Sequence, residues 1–413
     1  MDGFVRRFFA LIFTTYVGDG FMRGLALEGG GARGAYHIGV VKALYDAGYE
    51  FDGFVGTSIG AINAAILASG DFDKAMEVWA KISIEQLFDE EDQSILQLVD
   101  RNALKKNPNL LSAGGRKAIE KILGYKGINT KKMKLFLRQY INEDKIRKSG
   151  KDFGLATISL SKRKAQELMK EDIPDGQLFD FIMASAAHPF FSETTIDESV
   201  YLDGFFHNNC PYNLLIDKGY EEVIIVRTKA FGVFRKTDNP KVKMISPNDN
   251  LGSTLLFSPE NSTTQLTLGY YDGLRYTQNL LGKEYYIKSS SESNFNTRLL
   301  TLDDELIMKV GEMLKLPDMP AKRMLFERII PTLGDYLKLD KNFTYADFII
   351  ALLEHEAKGK RVERFHVYDY DKFCFMIANA PEAIKETNVF SELFSGQKEK
   401  AIKMLHGCFT VLN

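Results

Sequence analysis

The sequence predicts an α/β fold in which a central, largely buried sheet is covered by helices, followed by a region of helices alone. Three observations carry that expectation. From Gly24 to about Lys288, short β-rich runs alternate with helical stretches, the order that lays helices on a sheet. Two glycine-rich turns, Gly29-Gly30-Gly31-Ala32-Arg33-Gly34 and Gly56-Thr57-Ser58-Ile59-Gly60, each join a β-rich run to a helix former. Beyond Ser289 the apolar residues recur at helical spacing only.

In chain order, the first strand is expected at Gly24 to Leu27 and the first helix at Ala35 to Ala47, where Ile38, Val41 and Tyr45 share a face. A second strand, Phe51 to Val55, leads through Ser58 into the strong helix former Ala61 to Ala68. A helix is expected over Lys117 to Leu123, then strands at Phe153 to Ser159, at Val200 to Asp203 and at Glu222 to Thr228. Lys236 to Pro259 is rich in Pro, Asn, Asp and Ser and reads as an excursion over the surface. A helix, Ser262 to Leu281, and a strand, Glu284 to Lys288, close the domain. Five further helices follow, at Asp303 to Leu316, Ala321 to Leu337, Tyr345 to Ala357, Asp369 to Ala378 and Lys398 to His406. The expected organisation is an extension over 1–21, a large domain over 22–288 and a helical region over 289–413.

Composition narrows the partners. A chain of 413 residues, 45% hydrophobic and 26% charged, can bury the core of one large domain and a smaller one. A formal net charge of -2 supplies no global field for nucleic acid. Cys210, Cys374 and Cys408 are far apart and odd in number, which speaks against a disulfide framework or a closed metal site and for a reducing, cytoplasmic setting. No metal or organic cofactor is expected. At the N-terminus, Arg6-Arg7 precede an apolar run from Phe8 to Val17 that is too short to span a bilayer. A packed leader helix or dispensable upstream sequence ranks ahead of a membrane-surface anchor, and a cleaved signal ranks last because no small-x-small site follows. Transient contact with a membrane surface is therefore kept among the expectations, and the oligomeric state is left open.

The two glycine turns carry the chemistry. Ser58 sits where strand turns into helix, the context a G-x-S-x-G match requires of a nucleophile. A serine hydroxyl attacks an ester only if a base takes its proton and donors stabilise the oxyanion. Successive glycines let backbone amides converge, so Gly29, Gly30, Gly31 and Ala32 are read as the oxyanion hole. A dinucleotide loop would also fit Gly29, Gly31 and Gly34, but it calls for an acidic residue at the end of the second strand, where this chain has Gly56-Thr57-Ser58. For the base, Asp203 ends a short strand at a glycine turn. Asp197 and Glu198 lie before that strand in a charged stretch that reads as solvated loop.

Taken together, the G-G-G-x-R-G loop, the G-T-S-x-G elbow and the Asp203-Gly204-Phe205 to Asn209-Cys210-Pro211 turn resemble the patatin-like phospholipases. The segment Ala184 to Pro189 is similar to that family's helix end before the aspartate strand, and the resemblance covers about Met22 to Lys288. It implies a three-layer α/β/α hydrolase with a mostly parallel sheet, acting on lipid esters through an acyl-enzyme. Ser58 would be the nucleophile, Asp203 the general base and then acid, and Gly29, Gly30, Gly31 and Ala32 the oxyanion donors. Arg33, Gly34, Gly56, Gly60 and Gly204 would support them. Ile59 and Phe205 depart from the family pattern, where smaller residues are usual, and narrow the space beside the dyad. Two other classes stay open: a Ser-His-Asp carboxylesterase of the α/β-hydrolase type, drawing on His207 or His188, and a non-catalytic lipid-sensing or partner-binding protein.

Overall fold

A computed structural model describes residues 20–102, 127–289, 292–381 and 389–410. The N-terminal run at 8–17 and the helix expected over Lys117 to Leu123 lie outside the described residues, as does the side chain of Cys408. The chain divides into two compact units, Met1–Gly273 and Leu274–Asn413.

The first unit is built on one eight-stranded sheet. Its strands are β1 (Arg23–Leu27), β2 (Gly53–Thr57), β3 (Asp152–Ser159), β4 (Lys164–Met169), β5 (Thr194–Ile196), β6 (Ser199–Asp203), β7 (Glu222–Val226) and β8 (Val242–Ile245). The order is β5-β6-β3-β2-β1-β7-β8, with β4 paired to β3. The run from β3 through β2, β1 and β7 to β8 is parallel, and β4, β5 and β6 add an antiparallel margin. Side chains alternate between faces along each strand. Ala26, Val55, Val223 and Ile225 pack with Cys210, Leu215 and Tyr220 on one face. Leu25, Leu27, Phe54, Ile224 and Val226 are equally buried, so they fill the other. There the Ile59–Ala68 helix lies directly against the strands: a side chain at Gly60 would run into the Leu27 carbonyl, and one at Gly56 into the backbone of Gly60 and Ala61. The Asn213–Asp217 helix, which carries Leu215, covers the opposite face.

Three strands of this unit, β4, β5 and β8, arise where the sequence reading has none. β8 crosses the polar stretch expected to be surface excursion, and as an edge strand with Lys243 and Met244 exposed it carries little apolar signal. β4, Lys-Ala-Gln-Glu-Leu-Met, is only partly buried and lacks a clean alternation. Asp197 and Glu198 hold positive φ values of 45° and 64° between the paired Ile196 and Ser199. They form the two-residue turn that joins β5 to β6.

The second unit is a helical body around Phe295, Ile307, Leu325, Phe348, Phe373 and Ile402. Its helices include Asp304–Met313, Tyr345–Gly359, Tyr370–Asn379 and Val389–Thr410. The stretch expected as one helix from Ala321 to Leu337 contains a π-helical turn, Leu325–Ile329, between two α-helical pieces. The strand expected at Glu284 to Lys288 forms as β9 (Tyr286–Lys288), yet it pairs with β10 (Val367–Asp369) in this unit instead of joining the main sheet. The unit boundary at Gly273 therefore precedes the expected one.

Candidate active site

Ser58 stands between β2 and the Ile59–Ala68 helix with φ 56° and ψ -126°. A non-glycine residue holds positive φ at a cost, and such strain persists only where its surroundings impose it. Gly56 and Gly60 allow the strand and helix to approach closely enough to do so. The Ser58 amide donates to Ser185 Oγ at 3.0 Å, and Ser185 Oγ donates in turn to the Ala156 carbonyl at 2.7 Å. Thr57 Oγ1 is held by the Asn208 carbonyl at 2.8 Å. The elbow is thus tied to β3, to the end of the Leu178–Ser185 helix and to the turn after β6.

The Ser58 hydroxyl donates to Asp203 Oδ2 at 2.7 Å. Asp203 closes β6, is 0% exposed, and accepts the Phe205 amide on Oδ1 at 3.0 Å. Burial pushes its carboxyl up to about 7, while the donations from Ser58 and Phe205 act in the opposite direction. Gly204 lets the turn after Asp203 pass close to Ala156. The ring of Phe205 stacks near Phe206 and His188, at centroid distances of 4.1 and 5.9 Å.

The glycine loop divides its four amides. Gly29 N–H donates to the Asn209 carbonyl and Ala32 N–H to the Thr254 carbonyl, each at 2.9 Å. These two are spent on holding the loop, which corrects the expectation of four oxyanion donors. Gly30 and Gly31 amides find no acceptor among the described residues, and both glycines line the same cavity as Ser58 and Asp203. Arg33 braces the loop from outside: its guanidinium donates to the Gly252 carbonyl at 2.7 and 2.9 Å and to the Lys229 carbonyl at 3.1 Å. Gly34 offers its carbonyl to Asn63 Nδ2 at 2.9 Å. At the foot of the loop Glu28, 0% exposed, accepts from Arg227 Nη2 at 2.6 Å and from the amides of Thr228 and Lys229 at 2.7 and 2.8 Å. Ser185, Asn209, Thr254 and Glu28 are site residues the sequence reading does not assign. For Ser185 the signal was the Ala184 to Pro189 segment.

The cavity above the dyad measures about 240 Å³ and is mostly apolar, with Ile59, Met133, Phe191, Phe205, Leu255 and Phe257 in its wall. Ile59 and Phe205, the two larger-than-usual residues, both face it. His188 lies in this wall against Phe190 and Phe191, and burial lowers its imidazole to about 4. His207 faces Glu167 and Arg235, at 3.1 and 2.9 Å. Asp203 bonds to neither histidine; its two carboxylate oxygens take Ser58 and Phe205. His37 is buried beside Asn63 and lowered to about 3 by that burial. Among the described residues there is no cluster of His, Cys, Asp and Glu able to hold a metal ion, and no helix long and apolar enough to cross a membrane.

Comparison with known proteins follows the same segment. Residues 25–216 match the model of the patatin-like phospholipase family. An uncharacterized NTE family protein of Mycobacterium tuberculosis is 41% identical over 99 residues, 24% of this chain and 23% of that protein. The lysophospholipase nte1 of Aspergillus terreus is 58% identical over 45 residues, 11% of this chain and 3% of its own length. The chain thus matches under a quarter of the length of these relatives. Among solved structures, VipD from Legionella pneumophila aligns over 93% of this chain and 83% of its own, with a TM-score of 0.40 and 15% identity. The segment that carries the glycine loop, the serine elbow and the aspartate turn is thus the part of this chain that matches the patatin-like phospholipase family.

Proposed function

We propose that this protein is a serine acyl hydrolase of lipid esters, of the phospholipase A or lysophospholipase kind, working through a Ser58–Asp203 dyad. The observation that carries the reading is the 2.7 Å hydrogen bond from a strained serine to a fully buried aspartate at the floor of an apolar cavity. Asp203 removes the Ser58 proton as Oγ attacks the ester carbonyl. A carboxyl poised at about 7 is basic enough to take a share of that proton in the transition state. The oxyanion that forms is met by the amides of Gly30 and Gly31. Collapse of the tetrahedral intermediate breaks the bond to the alkoxide, which receives the proton from Asp203 and leaves. Asp203 then takes a proton from water, whose oxygen attacks the acyl-enzyme, and the returning proton restores Ser58.

The apolar wall supports an acyl chain as the group held near the carbonyl, and Ile59 and Phe205 set the room beside it. A Ser-His-Asp esterase finds little support, since the carboxylate partners the serine directly. A lipid-sensing role without turnover gives no account of the strained elbow. Hydrolysis of a lipid extract read by mass spectrometry, intact protein against Ser58→Ala, tests the proposal: free fatty acid released by both chains alike would refute it.

A further inference from the structure

Beside the cavity runs a segment that the chemistry above does not use. Residues 227–243, Arg-Thr-Lys-Ala-Phe-Gly-Val-Phe-Arg-Lys-Thr-Asp-Asn-Pro-Lys-Val-Lys, hold six cations, Arg227, Lys229, Arg235, Lys236, Lys241 and Lys243, against one acid, Asp238. The rest of a chain with net charge -2 is correspondingly acidic. Arg227 is consumed by Glu28, and Arg235 by Glu167. Lys229, Lys236 and Lys243 are exposed and pair with no carboxylate among the described residues. Between these cations Phe231 is 60% exposed and Val233 46% exposed. Val233 is held on a fixed backbone, because its amide donates to the Phe205 carbonyl at 2.8 Å and its carbonyl accepts the Asn209 amide at 2.7 Å.

Phe231 belongs to two surfaces at once. It lines the cavity that holds Ser58, with its ring 6.2 Å from that of Phe205, and it still offers most of its area to solvent. The apolar lining of the cavity therefore continues outward onto an apolar rim with cations on both sides in sequence. Aromatic and aliphatic side chains set among lysines match the boundary of a bilayer, where apolar groups enter the acyl region and ammonium groups meet anionic headgroups. We infer that the segment Lys229 to Lys236 docks the mouth of the cavity on an anionic phospholipid bilayer, so that an ester passes from the lipid surface along Phe231 to Ser58. The inference rests on the acyl-hydrolase reading for its direction of travel. The docking itself rests on exposure and charge.

Vesicle flotation tests the docking apart from the chemistry. The full chain carrying Ser58→Ala, which spares the lipid, is mixed with phosphatidylcholine vesicles with and without phosphatidylglycerol. Binding is expected only with the anionic lipid and is expected to fade as salt is raised. The same chain with Val233→Ser and Lys236→Glu is expected to bind at least about tenfold more weakly. In the chain with Ser58 intact, those substitutions leave hydrolysis of a water-soluble short-chain ester and the melting temperature unchanged. Equal binding to both vesicle types, or undiminished binding by the substituted chains, overturns the docking surface. So does a protein that ignores vesicles and forms a dimer broken by Val233→Ser. Failure of the parent chain to cleave the soluble ester would instead refute the hydrolase reading, with the flotation result standing.

Discussion

The hydroxyl of Ser185 accepts a hydrogen bond from the backbone amide of Ser58 at 3.0 Å and donates one to the Ala156 carbonyl at 2.7 Å. It thereby fastens a residue of positive φ to the central strand β3. Ser185 is fully buried, so water supplies no substitute for either bond. The amide it occupies is that of Ser58 itself, so the proposed mechanism draws its oxyanion donors from the glycine loop. One serine hydroxyl thus sets the aim of another.

Replacing Ser185 by alanine leaves the Ser58 amide without an acceptor in a buried place, at a cost of about 1–3 kcal/mol. The elbow is expected to relax and the Ser58–Asp203 bond to lengthen. Because Ser185 is not in the wall of the cavity, substrate binding should be little affected. On a soluble ester, kcat should fall by about tenfold or more while KM stays near that of the parent, and the melting temperature should drop. A chain with undiminished kcat would show that Ser58 keeps its geometry without this tie.

What the sequence made legible was local chemistry at the ends of strands. Ser58 at a strand-to-helix turn and Asp203 at the close of a strand are both patterns of a few neighbouring residues, and the geometry brings the two together. What stayed hidden depends on partners far along the chain. Gly29 and Ala32 look like donors in sequence, and only the approach of Asn209 and Thr254 takes their amides away. β8 and β4 carry polar, half-exposed residues, so their pairing is decided by the sheet beside them more than by their own composition. β9 has the apolar run of a core strand, and its choice of β10 as partner is a tertiary matter that periodicity does not encode.

Asp203 gives activity and stability opposite dependences on pH. In the proposed mechanism it acts as an ionised base, so kcat/KM on a soluble ester should rise as pH passes through about 7. Its folded pKa lies above the unfolded value of about 3.9, so the folded state binds the proton more tightly. The stability it contributes is complete below about pH 4 and is lost as pH climbs through about 7. Asp203→Asn keeps acceptors and donors for Phe205 and Ser58 without the buried charge. That variant should lose activity by about four orders of magnitude. Its melting temperature should match the parent near pH 4 and exceed it increasingly toward pH 8. Melting curves that run parallel across this range would show that Asp203 is not held near neutrality.

The glycine loop can be tested where side chains are least tolerated. Gly31 has φ 54°, and a methyl group there would run into the Thr254 carbonyl, the same oxygen that anchors Ala32. Gly31→Ala should therefore push the loop away from Thr254 and turn the Gly30 and Gly31 amides from the oxyanion. Loss of such a donor lowers kcat by about 10² to 10³. Backbone strain alone does not account for that expectation, and Gly48 provides the control. It too has positive φ, at 82°, but a side chain there meets open space. Gly48→Ala should cost about 1 kcal/mol of stability with kcat intact. Measured side by side on one soluble ester, the two substitutions separate the conformational cost of alanine at positive φ from the loss of aim in the loop. Equal kcat values for the two variants would remove Gly30 and Gly31 from the reaction.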